Sequence, residues 1–257
     1  DVHLSTVEGW EVRTPTETVR LGGARRTTAA FEPLVRSDRP LVAAGSALLL
    51  AEPPALDGTL EGFDTSEPLE LDHEDQYRRS EEPYDGPEEF SARAYVNWTD
   101  GALYLAVDVT KPEVFPRDPA APPLRLDNEP DEIHADGLQV YLRPLPDGPA
   151  YGLLLVPSAV SSDLLVRPVE GTAASAQMAR GSWQRTEAGY TMTASLTLPE
   201  DLPQDPGAQI GFDLLINRMS PGRLRREGQL VWSGGGGWVW LRGDRQDPAR
   251  FGTLHLR

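Results

Sequence analysis

The chain has 257 residues, 39% of them hydrophobic, and sets 40 acidic against 24 basic side chains for a net charge of −16. That is enough for one large β-domain, or one domain and part of another, and no apolar run approaches the ~20 residues of a membrane-spanning helix. A polyanionic surface repels phosphate backbones and anionic lipid, which excludes nucleic acid and membrane insertion from the expected partners. Cysteine is absent, so a disulfide framework, a thiolate nucleophile and a cysteine metal site are excluded too. The first residue is Asp1 rather than Met, which reads as a processed chain or a piece of a longer one.

Short strands open the chain at Gly9–Val12, Thr18–Leu21, Thr27–Phe31 and Ala47–Leu50, split by Gly22-Gly23 and Arg39-Pro40. Glu52-Pro53-Pro54 reads as a linker, so the expected division is a β-rich segment over 1–52 and a main domain over 53–257. The polar stretch Asp64–Glu89 lacks periodicity and reads as surface loop, tied down through Tyr77 and Tyr84. Ser91–Val109 is the clearest element, two alternating runs joined at Asp100-Gly101, where glycine takes positive φ without steric cost. Leu103, Leu105, Val107 and Val109 share one face of it. After an irregular Pro-rich and acidic region at 111–135, strands are expected at 137–143, 151–156, 163–167, 190–198, 210–217, 229–233 and 253–256. Helical period is missing throughout, so the fold class is all-β, an antiparallel sandwich or barrel.

The motifs resemble those of the family 9 carbohydrate-binding modules and the wider DOMON-like β-sandwich group. The resemblance is carried in order by Leu56-Asp57-Gly58, Trp98–Val109, Asp136–Leu142, Gly189–Pro199, Ile210–Asp213, Val231-Trp232-Ser233 and Asp247–Leu254. Residues 1–52, with Gly9-Trp10 and Gly22-Gly23, resemble the second half of an Ig-like domain found with alpha-galactosidases. The resemblance implies a non-catalytic accessory module of a larger secreted carbohydrate-active enzyme, extracytoplasmic, with a glycan and the neighbouring domains of its parent as partners. It also implies a sugar site that holds a ring between two tryptophans; those positions carry Ile133 and Arg245 here. Gln139 stands where the family has an acidic residue.

Trp238 and Trp240, after Gly234–Gly237, are the candidates for an aromatic wall, while Gln139, Arg245 and Asn217 are candidates to bond sugar hydroxyls. The alternative is that these tryptophans pack inward or cover an edge. The oxygen-rich run 127–132 with Asp136 could supply ligands to a structural Ca²⁺, from Asp127, Asp131 and Asp136, which the resemblance also implies; a solvated acidic loop is the alternative. The histidines His3, His73, His134 and His255 are scattered and no nucleophile elbow or phosphate loop occurs, so an enzyme is not expected. Two other functions remain open: a structural or interaction sandwich without sugar binding, and haem binding through Met178, Met192 or Met219 with His134 or Lys111.

Overall fold

The computed structural model describes residues 43–121, 135–219, 226–239 and 245–257, and in the first 42 residues only the backbone of four short strands. These are β1 (Val2–His3), β2 (Trp10–Val12), β3 (Thr16–Glu17) and β4 (Pro33–Val35), with β1 antiparallel to β3 and β2 to β4. The chain divides into a unit Asp1–Leu41 and a unit Val42–Arg257. The strand expected at Ala47–Leu50 therefore belongs to the second unit, as β5 (Ala44–Leu49), whereas those expected at 18–21 and 27–31 lie outside the described residues.

The second unit is a two-layer β-sandwich. One layer contains β6 (Leu69–Leu71), β8 (Ser91–Thr99), β9 (Ala102–Thr110), β13 (Ala179–Arg185) and β14 (Gly189–Thr197), paired in the order β6-β8-β9-β14-β13. The other runs β12 (Leu164–Pro168), β11 (Tyr151–Pro157), β10 (Gly137–Pro144), β15 (Gln209–Met219), with β16 (Arg226–Val231) and β7 (Tyr77–Arg79) extending it beyond β15. The last strand, β17 (Gly252–Leu256), also pairs with β15. β5 joins the layers by pairing in parallel first with β17, at Ala44–Ala47, and then with β8, at Leu48 and Leu49. At the far side Asp163 of one layer bridges Ser182 of the other, which nearly closes the sheet into a barrel.

The hairpin forms as its alternation dictates. Thr99 pairs with Ala102 around a two-residue Asp100-Gly101 turn in which Gly101 has φ 83. Leu103, Leu105, Val107 and Val109 face inward and meet Leu138, Val140, Leu142, Phe212, Leu214 and Ile216 from the opposing layer. Trp98 and Trp232 are both buried in this core. Outside the first layer, the loop after residue 53 lays Leu56, Leu60 and Phe63 over Tyr104 and Ala106. It is pinned where Gly58 N donates to Thr193 Oγ1 (2.8 Å) and Asp64 N to Asn97 Oδ1 (3.0 Å).

Two stretches depart from the sequence reading. The stretch 64–89 is not all loop: it contributes β6, a single 3₁₀ turn at Glu74–Gln76, and β7. β7 has no apolar alternation of its own and exists because Arg79, Arg78 and Tyr77 pair with Gly228, Gln229 and Leu230. A side chain at Gly228 would collide with the Tyr77 ring, so glycine is what lets the two strands close up there. β13, with the polar sequence ARGSWQR, likewise forms by pairing along β14.

Candidate functional site

The outer face of the second layer holds a polar row that crosses four strands. Along β15, Phe212, Leu214 and Ile216 point into the core, so Asp213, Leu215 and Asn217 must point out. Asn217 lies opposite Gln229 on β16, and Gln229 opposite Arg78 on β7. Gln139 on β10 lies opposite Leu215, one step along the same face. Arg78, Gln139, Asn217, Arg226 and Gln229 are all at 0% exposure.

Burial obliges these groups to bond one another. Arg78 Nη1 donates to Gln229 Oε1 at 2.9 Å and Arg78 Nη2 to Gln246 Oε1 at 3.0 Å. Gln229 Nε2 donates to Asn217 Oδ1 at 2.8 Å and to Gln139 Oε1 at 3.3 Å. Arg226 Nη1 reaches Asn217 Oδ1 at 3.2 Å, and Tyr141 Oη reaches Gln139 Oε1 at 3.4 Å. Gln246 Nε2 and Ser233 Oγ both donate to Asp213 Oδ2 at 2.6 Å. Burial pushes the Asp213 carboxyl up to about 6, against the downward pull of Ser233 and Gln246. An apolar cluster of Tyr141, Val169, Leu215, Val231 and Phe251 shares this face, with the Phe251 ring 5.6 Å from that of Tyr141.

The structure thus brings together two of the expected ligand-binding residues, Gln139 and Asn217, and joins them through Gln229. It does not add Arg245, which is exposed and pairs with Glu170 at 3.5 Å; its neighbour Gln246 points inward and joins the row. Trp238 forms a parallel bridge with Arg79, whose guanidinium lies 4.6 Å from the ring centre. Arg79 alternates with Arg78 along β7, so this stacked pair belongs to the opposite side of the strand from the row. Trp240 lies outside the described residues. Arg78, Arg226 and Gln246 escaped the sequence reading. The only signal for Arg78 was an arginine pair in a stretch without period.

Of the expected metal ligands, Asp127 and Asp131 lie outside the described residues. Asp136 is fully buried just before β10 and its two oxygens are committed: Oδ2 accepts from Phe115 N (2.7 Å) and meets Lys111 Nζ (3.0 Å), and Oδ1 accepts from Met219 N (2.8 Å). A calcium ion would have to displace that ammonium, so Asp136 as placed does not fit a cation ligand. Among the described residues no group of three or more His, Asp or Glu side chains gathers around a metal-sized space. Burial raises the Asp136 carboxyl to about 6, opposed by Lys111, and burial lowers the Lys111 ammonium, opposed by Asp136.

Comparison with known proteins follows the fold. Two solved structures of a family 9 carbohydrate-binding module from Caldicellulosiruptor kristjanssonii, in complex with glucose and with cellotriose, superpose with TM-scores of 0.56 and 0.55. They share 14% and 15% identity, each alignment covers 82% of this chain, and the shares of those chains are 95% and 93%. No curated protein matches. A sandwich of this topology, with residues 72–257 matched by the model of the carbohydrate family 9 binding domain-like family, leaves one conclusion: the chain belongs to that family.

Proposed function

We propose that this carbohydrate-binding, non-catalytic domain serves as an accessory module of a larger secreted carbohydrate-active enzyme and holds a glycan at the outer face of its second layer. The single observation that carries the placement is the row itself. Gln139, Asn217 and Gln229 form a tight set of directional polar groups in a face that otherwise packs apolar side chains. Amides and guanidinium groups at fixed positions are what discriminates one hydroxyl pattern from another. The glucose and cellotriose complexes of the C. kristjanssonii modules, on the same fold, support the substrate class. Trp238 stands with Arg79 on the other side of β7, so an aromatic wall from Trp240 would supply the apolar contact that polar groups alone do not, since each of their bonds replaces one to water. With one wall, the expected dissociation constant is about 0.1–1 mM, or about −4 to −5.5 kcal/mol.

A glycan array followed by isothermal titration tests this with the wild type and the Asn217→Ala, Trp238→Ala and Trp240→Ala variants. Binding that weakens in Asn217→Ala supports the reading, whereas silence across the array refutes it. The structural-domain reading is favoured by one observation, the complete burial of the row, and it predicts that silence. Haem binding through Lys111 finds no support, because its ammonium is engaged with Asp136 and with the Glu113 carbonyl, while Met192 lies in the core.

A further inference from the structure

The direction of the row's hydrogen bonds is dictated by its arginines, because a guanidinium offers donors and no acceptor. Arg78 turns the carboxamide oxygens of Gln229 and Gln246 towards itself, and Arg226 turns Asn217 Oδ1. The Gln229 nitrogen must then point along the sheet, where it meets Asn217 Oδ1 and Gln139 Oε1. The Gln246 nitrogen points at Asp213. Asp213 has nothing left to accept with: Oδ1 takes the Leu214 and Ser233 amides, and Oδ2 takes Ser233 Oγ and Gln246. The sequence of donors ends on Gln139 Nε2 and Asn217 Nδ2, both fully buried and without an acceptor among the described residues. Their carboxamide oxygens share the Gln229 donor, so the two nitrogens belong to one small neighbourhood.

A sugar hydroxyl answers only half of this need. It accepts from an amide but brings its own proton, and the row's carboxamide oxygens are already accepting. A carboxylate oxygen accepts and brings no proton. Because both nitrogens lie below the surface, what reaches them is a single projecting group rather than a ring face. We infer that Gln139 Nε2 and Asn217 Nδ2 receive the carboxylate of a uronic acid, so that the ligand is an acidic glycan; this rests on the carbohydrate-binding reading above. The net charge of −16 opposes an anion at long range, but at physiological ionic strength that field is screened beyond about 8 Å, whereas the amides act at contact.

The test compares cellotriose with the β-1,4-linked trimer of glucuronic acid, equal in length and linkage and different only at C6. Titration of the wild type at neutral pH and physiological salt should show the acidic trimer binding at least about tenfold tighter. Gln139→Met removes the donor without adding a charge and should level the two ligands; its melting curve checks that it folds. Gln139→Glu should reverse the preference, since like charges would then meet. Cellotriose bound as tightly as the acidic trimer by the wild type would overturn the inference and leave carbohydrate binding standing. Binding of neither trimer, with an array silent throughout, would overturn both.

Discussion

Lys111→Met isolates the buried ion pair that anchors the start of β10. The Lys111 side chain is 5% exposed and its ammonium lies 3.0 Å from Asp136, whose side chain is 0% exposed. Methionine keeps the aliphatic length and removes the charge, leaving Asp136 buried and opposed only by the Phe115 and Met219 amides. Breaking a buried pair from one side costs about 3–5 kcal/mol, and two surviving amide donors place this case near the lower end. The loss should depend on pH in a definite sense. Asp136 already titrates at about 6, above the usual carboxylate range, and Lys111 is what pulls it down, so its removal raises it further. A carboxyl that holds its proton more tightly in the native state is relieved by acid, so the penalty present at pH 8 shrinks towards pH 5. Denaturant titration followed by tryptophan fluorescence should give about 3 kcal/mol lost at pH 8 and about 1 kcal/mol at pH 5. The double variant Lys111→Met/Asp136→Asn should recover most of the loss at pH 8. Equal losses at the two pH values, or a double variant no better than the single one, would refute the buried-charge argument.

Leu105→Ala should cost about 2–5 kcal/mol by the same assay, because Leu105 is 1% exposed at the centre of the inter-layer core. A cost under about 1 kcal/mol would mean that the site collapses around the missing atoms. Asp213, held at about 6 in the native state, binds its proton more tightly than in the unfolded chain, so wild-type stability should fall as pH rises from about 4 to 6. Asp213→Asn should remove about half of that slope, the rest belonging to Asp136, which is likewise raised to about 6, and an unchanged slope would assign all of it to other carboxyls. Because Asp136 already holds Lys111, a chelator should leave the melting temperature unchanged. A drop would show that a cation binds the native state, since a ligand bound only there stabilises it by mass action.

What could be read in the sequence follows from how local each signal is. The hairpin was legible because its alternation and the Asp100-Gly101 turn both lie within one stretch. Gln139 was found because it stands where the resembled family has an acidic residue, and Asn217 as a polar side chain at the end of the strand expected over 210–217. Arg78 was not, since Tyr77-Arg78-Arg79 becomes a strand only by pairing with β16, over a hundred residues further along the chain. Arg245 and Gln246 illustrate a finer failure. Arg245 drew attention because it holds the position of one of the resembled family's clamping tryptophans, but backbone direction decides which neighbour faces the row, and it is Gln246. Asp136 misled by its company. Its acidic neighbours suggested a cation, while its actual counter-charge is the chain's single lysine, on the far side of an irregular stretch.

Antiparallel sandwiches commonly leave one face of each sheet to water, yet Asp213, Leu215 and Asn217 on the outer side of β15 are as fully buried as the core residues between them. The same face shows that apolar packing is available to it, since Tyr141, Leu215, Val231 and Phe251 form a cluster beside the row. Replacing a buried, fully bonded polar set by apolar groups of similar volume is often neutral or stabilising, so stability alone gives little reason to keep arginines and amides there. A polar row that ends on two unsatisfied donors costs more still, and what such an arrangement secures is direction. Arg78 and Arg226, able only to donate, fix which way every carboxamide points, down to Gln139 and Asn217. Fixed polarity at buried positions is of little use to a scaffold and of direct use to a site that must distinguish one oxygen-bearing group from another.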